Sequence, residues 1–177
     1  MNIVGLQGSP SLGSRSGSLL HLAHSRLRDL ATSQRSISLR DLPAEALMHA
    51  QFDHPLIRDA LRAVQGADVV LVATPIYKAA YSGLLKTFLD LLPPDALRGK
   101  TVLPLATGGS IAHLLAIDYA LKPVLSALGA RDILDSVYAT DAQIPKHPKL
   151  GHEPASELAE RIDNALRTLV DRSPISA

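Results

Sequence analysis

Five times along this chain a short apolar run gives way to an amphipathic stretch, an alternation that parallel sheets wrapped by helices require. The central run, Val69-Val70-Leu71-Val72-Ala73, is continuously apolar and rich in β-branched residues, as a strand buried on both faces must be. Asn2–Gln7, Ser36–Leu39 and Thr101–Ala106 read as further strands, and Ile133-Leu134 with Val137-Tyr138-Ala139 reads as a split one. Pro104 counts against a central strand because proline cannot donate to the ladder. The strand reading stands because Thr107-Gly108-Gly109-Ser110 closes the run as the other loops close theirs.

Between the strands the apolar period changes to that of a helix. Leu19, Leu20, Ala23, Leu27 and Leu30 mark a helix from about Ser16 to Leu30. Pro55 opens a helix to Gln65, and Ser82 can cap one reaching Leu92. Ala112–Leu128 reads as one helix, and Pro154–Val170 as another with Leu158, Ile162, Leu166 and Leu169 on one face. Residues 40–54 read as a connection. The expected fold is a flavodoxin-like three-layer α/β sandwich with a five-stranded parallel sheet in the order 2-1-3-4-5. One domain covers 1–172, and 173–177 form a C-terminal tail.

Composition removes several functions. The formal charge of +1 and interspersed signs offer no basic patch for nucleic acid or an anionic membrane, and six aromatic residues leave little for base stacking. The absence of cysteine excludes disulfides, thiolate catalysis and cysteine-ligated metals. The start of the chain lacks a basic leader, and no apolar stretch approaches a membrane span, so a cytoplasmic location is expected.

In doubly wound sheets, ligands bind beyond the carboxyl ends of the strands, which gathers loops 8–18, 74–82 and 107–112 on one edge. The first, GSPSLGSRSGS, begins with the spacing of a nucleoside-triphosphate loop. Ser14-Arg15-Ser16 then stands where that motif needs Gly-Lys-Ser/Thr. Strand, Gly/Ser loop and helix in that order suit a phosphate held by backbone N–H groups, by the hydroxyls of Ser9, Ser14 and Ser16, and by Arg15. With no lysine for a triphosphate and no Gly-x-Gly-x-x-Gly for a dinucleotide, a terminal phosphomonoester such as that of FMN fits best. TPIYKAAYSG can present backbone amides and Tyr77 to a flat ring, and TGGS lets the backbone approach a ligand closely. A capped turn of no function, a strand-ending turn and an ordinary Gly-Gly turn are the respective alternatives.

GSPSLGSRSGSLL, VVLVATPIYKAAYSGLLKTFLDLLP and TVLPLATGGSIAHLLAIDYALKPVLSALGA together resemble the NADPH-dependent FMN reductases, and more narrowly those serving two-component alkanesulfonate monooxygenases. The resemblance spans the chain to about Ala139 and thins after Gln143. It implies that Ser9, Ser14, Arg15 and Ser16 hold the FMN phosphate and that Pro75, Ile76, Tyr77 and Lys78 line the isoalloxazine. It places Thr107, Gly108, Gly109 and Ser110 beneath or beside the ring. Many relatives carry arginine where this chain has Ser11. Tyr119 matches an inserted tyrosine that makes a π-helical turn at a subunit interface. FMN and NADPH are the implied substrates, with no metal and no protein acid or base in the hydride transfer. A homodimer or homotetramer and a flavin-dependent monooxygenase partner in sulfur assimilation are implied as well. Sparse sulfur in the chain, two methionines and no cysteine, is consistent with work under sulfur scarcity.

Two other classes remain: a quinone or azo reductase retaining FMN as a prosthetic group, and a flavodoxin-like electron carrier. Flavodoxins are usually strongly acidic, unlike this chain. His113 reads as a capping or packed histidine, His21 and His24 lack a third ligand, and Lys86 with Asp90 reads as an ion pair.

Overall fold

The computed structural model describes residues 1–148 and 151–171; the expected tail 173–177 lies outside them. Strands β1 (Asn2–Gln7), β2 (Ser33–Ser38) and β3 (Val69–Tyr77) pair in parallel, with β1 in the middle. β3 continues through the short hairpin partner β4 (Ala80–Tyr81) and pairs on its other side with β5 (Thr101–Gly108). The last position is shared by β6 (Asp132–Ile133) and β7 (Val137–Thr140), both parallel to β5. With the hairpin strand β4 left out and β6 and β7 counted as one split strand, the order β2-β1-β3-β5-β6/β7 is the expected 2-1-3-4-5.

Pro104 explains the split. Val102 O accepts from Leu134 N at 2.9 Å, so Val102 faces the last strand, and Pro104, two residues on, faces the same way. Its missing N–H falls where that strand is interrupted, between Ile133 and Val137. The proline therefore sits in the interior of β5 without leaving a carbonyl of a continuous neighbour unpaired.

Helices cover both faces. α1 (Arg15–Arg26) and α6 (Ser156–Asp171) pack on Ile3, Leu71, Ala73, Leu103 and Leu105. α3 (Pro55–Gln65), α4 (Gly83–Leu89) and α5 (Lys122–Ala127) cover Val4, Leu6, Val70, Val72 and Val102. Alternate strand residues thus feed two cores, as the strand period of two dictates. Among the described residues, no helix is long and apolar enough to cross a membrane.

Several elements depart from expectation. The connection 40–54 contains a short helix, α2 (Ala44–Met48), whose Ala46 and Leu47 are buried. α4 stops at Leu89 rather than Leu92, just before Pro93 and Pro94. The helix expected over Ala112–Leu128 is three pieces: a 3₁₀ turn Ile111–His113, a π-helical turn Ile117–Leu121 that holds Tyr119 as the resemblance implied, and α5. Pro123 lies in the first turn of α5 and cannot donate to a carbonyl of the turn before it, so a regular α-helical ladder cannot run through this point.

α1 lies close enough to β1 that only glycine fits at position 5. A Cβ there would stand 2.4 Å from His24 Nε2 and 2.9 Å from Leu20 Cδ1. His24 is 8% exposed, and burial lowers its pKa below the ordinary 6.5. The unfolded chain therefore binds a proton at this site before the native chain does. His24's contribution is fully present above about pH 6.5 and is lost as pH falls through the window between the ordinary and lowered values. Melting temperatures measured from pH 8 down to pH 5 are expected to fall less in His24→Gln than in the parent. Parallel curves would remove His24 from the acid response.

Candidate active site

The carboxyl ends of β1, β3 and β5 bring the three loops around a cavity of about 180 Å³. Its floor and one wall come from the first loop. Ser14 has extended backbone geometry and is the N-cap of α1, its Oγ accepting from Gly17 N at 3.0 Å. Gln7 Nε2 donates to the same oxygen at 3.3 Å, and Ser16 Oγ lies 3.4 Å away. Ser9 is buried, and its Oγ accepts from Ser11 N at 3.2 Å. The loop therefore places hydroxyls beside the unpaired N–H groups of a helix start, an arrangement that attracts anions.

The first and second loops are stitched together below the cavity. Gly8 N donates to Ala73 O at 2.7 Å, and the Ser82 hydroxyl donates to Gly8 O. Ser82 Oγ also caps α4 by accepting from Leu85 N at 3.1 Å, while Ser82 N donates to Thr74 Oγ1 at 3.0 Å. Pro75, Ile76 and Tyr77 line the cavity, with Tyr77 half exposed. On the third loop Thr107, Gly108 and Gly109 line it. Tyr138, on β7, reaches under this loop and donates to Ser110 O at 2.6 Å. Burial and then the charge of Asp141 push its pKa up, keeping the hydroxyl a donor.

Of the residues singled out in the sequence, Lys78 and Ser110 do not line the cavity. Lys78 and Ala79 form the two-residue turn between β3 and β4, with φ of 49° and 64°. That left-handed pair is the geometry tight hairpins favour and costs non-glycine residues roughly 1 kcal/mol or more each. It leaves Lys78 exposed. Ser110 turns its Oγ to Ala112 N at 3.2 Å and caps the 3₁₀ turn instead. Arg15 lines the cavity but is engaged: Nη1 lies 3.4 Å from Asp141 Oδ2, and Nε donates to Ile144 O at 3.1 Å. Tyr119 stands in the π-helical turn, 79% exposed, away from the cavity lining. Lys86 and Asp90 form an exposed pair at 2.7 Å.

Two cavity residues escaped the sequence reading, Asp141 and His152. Asp141 opens a 3₁₀ turn that Thr140 and Gln143 enclose in a capping box, so Thr-x-x-Gln was the local signal available. His152 comes from the short hairpin β8 (Lys146–His147) and β9 (Gly151–His152), which no periodicity announces.

A doubly wound sheet with a Gly/Ser loop feeding α1 and a glycine loop after β5 defines a flavodoxin-like α/β protein. Within that class, the chain belongs to the NADPH-dependent FMN reductase family, whose model matches residues 1–144. It is 51% identical over 170 residues to an FMN reductase (NADPH) of Escherichia coli K12, covering 95% of this chain and 87% of that one. It is 50% identical over 171 residues to an FMN reductase (NADPH) of Pseudomonas putida KT2440, covering 95% and 86%. The crystal structure of an NADH:FMN oxidoreductase, EMOB, in its apo form matches with a TM-score of 0.85 at 40% identity, over 97% of this chain and 89% of that one.

The residues present fit the phosphate end of FMN. A Cβ built on Gly13 or Gly109, both in the lining, meets nothing within 4 Å, so the backbone is open to a ligand at both ends of the cavity. Both ring nitrogens of His152 are buried in the wall without a hydrogen-bond partner among the described residues.

Proposed function

We propose that this chain reduces FMN with NADPH, binding the flavin phosphate in the cavity of Ser9, Ser14, Arg15 and Ser16. The observation that carries this reading is the set of hydroxyls and helix-start amides facing one small polar cavity beside a wall of Pro75, Ile76 and Tyr77. When bound, the flavin supplies the chemistry: its N5 accepts a hydride from the nicotinamide. The protein's part is placement. The Ser14 cap fixes the phosphate end, the Gly8–Ser82 stitch fixes the distance to the ring wall, and Thr107–Gly109 line the cavity beside it. Lys78 and Ser110 contribute by shaping their loops, Lys78 through the hairpin turn and Ser110 through its carbonyl contact with Tyr138.

The finer reading is that reduced FMN leaves to serve a flavin-dependent monooxygenase of organosulfonate metabolism, from a homodimer or homotetramer in the cytoplasm. An exposed apolar face around the π-helical turn supports self-association: Ile111, Leu115 and Tyr119 are 64%, 55% and 79% exposed. An assay with free FMN and NADPH tests the core claim. NADPH oxidation should depend on added FMN, and Ser9→Ala with Ser14→Ala should raise KM for FMN far more than they lower kcat. No NADPH oxidation at saturating flavin would end the reductase reading. Tightly retained yellow flavin with quinone turnover would favour a prosthetic cofactor.

A further inference from the structure

The segment after Ile144 lies beyond the family match, yet it returns to the cavity. β8 and β9 pair antiparallel, Lys146 opposite His152 and His147 opposite Gly151, and His152 lines the cavity at its border with a second cavity along α1. Its two nitrogens are buried, and neither has a hydrogen-bond partner among the described residues. Buried polar groups are nearly always paired, and this ring carries a donor and an acceptor that no described residue satisfies.

The surroundings indicate what that is. Ser9, Ser14 and Arg15 line the same cavity, so the group arriving there is an anion with several acceptor oxygens. We propose that His152 donates a hydrogen bond to the flavin phosphate and is a recognition residue for a terminal phosphomonoester. This rests on the reading that the phosphate occupies the Ser9–Ser14 cavity.

The charged and titratable neighbours are Arg15 and His21 from α1, Asp141 from the 3₁₀ turn, Lys146 from β8, and Glu153 next in the chain. The Glu153 carboxylate lies 3.7 Å from His147, on the paired strand. Burial first, then Arg15 and Lys146, lower the His152 pKa, with Asp141 opposing them. The ring is therefore neutral near pH 7 before the flavin binds, and a neutral imidazole still carries the one N–H that donation needs.

Riboflavin, which has the ring and lacks the phosphate, provides the control. Dissociation constants for FMN and riboflavin should be measured by flavin fluorescence on the parent, His152→Phe and His152→Gln, with circular dichroism confirming that each is folded. His152→Phe should weaken FMN about tenfold, the size of a lost hydrogen bond to a charged group, and leave riboflavin unchanged. His152→Gln, which keeps a donor, should recover most of the loss. Parent-like FMN affinity in His152→Phe would overturn the proposal, because a buried water would then suffice for the ring. Equal weakening of both flavins would overturn it too, by assigning His152 to shape alone. A parent that binds the two flavins equally would overturn the phosphate reading itself, and this inference with it.

Discussion

Ser82→Ala is expected to lower stability by about 2–4 kcal/mol and to weaken FMN binding although Ser82 lies outside the cavity lining. The serine is 2% exposed and joins three things. Its hydroxyl donates to Gly8 O and accepts from Leu85 N, while its N–H donates to Thr74 Oγ1. Alanine keeps the last bond and removes the other two. Loss of an N-cap costs about 1 kcal/mol, and a buried carbonyl left without its donor costs about 1–3 kcal/mol more. For a chain of this length that sum is a melting shift of roughly 5–10 °C. Thr87→Ala is the control: its hydroxyl donates to Gly83 O on the exposed side of the same helix, and its removal should shift melting little. The affinity loss follows from position, since Gly8 begins the first loop and Thr74 lies in β3 directly before the cavity residues Pro75, Ile76 and Tyr77. A Ser82→Ala protein melting with the parent would show that the stitch is not holding the loops.

Arg15 and Asp141 should give opposite answers to the same measurement. Arg15→Gln removes the one charged donor contributed by the first loop and should weaken FMN on the order of thirty- to a hundredfold. Asp141→Asn should tighten it. A carboxylate 3.4 Å from the arginine and lining the same cavity repels a phosphate dianion and competes for the guanidinium. Both side chains are partly exposed, so removing that charge is worth only about 1 kcal/mol, or fivefold, and less at high salt. The Arg15 bond to Ile144 O keeps the guanidinium near its place in the variant. Riboflavin affinity should stay the same in both proteins. Weaker FMN binding in Asp141→Asn would mean that the carboxylate's main effect is to position the arginine.

Much of this architecture was legible because it depends on patterns within single segments. The Val69–Ala73 run, the Leu158–Leu169 stripe and the Ser82 cap each carry their structure in local spacing. The loops were legible because strand, small residues and helix follow one another directly. What escaped depends on distance in the chain. Asp141 and His152 meet Arg15 across more than a hundred residues, a meeting decided by which strand lies beside which. Lys78 and Ser110 were assigned by neighbourhood, whereas backbone geometry decides them: a left-handed hairpin turn exposes one, and a cap turns the other away. The stretch Ala112–Leu128 read as one helix, and the break before Pro123 was signalled only by the resemblance at Tyr119. Its outcome as a π-helical turn depends on the packing of Ile117 and Leu121, both buried in one core.

The two halves of the phosphate end are built with unequal freedom. Gly8 is tied to β3 and to the cap of α4, and Ser14 to α1, by bonds on which the fold's packing depends. Asp141 approaches from a turn at the end of the matched region, and His152 from a separate two-residue-per-strand hairpin past it. Charge and donors on that side can be exchanged without disturbing either core. A lineage bearing this fold could thus retune how long it keeps an anionic ligand by exchanging single residues in this turn and hairpin, while the first loop stays fixed by the work of folding.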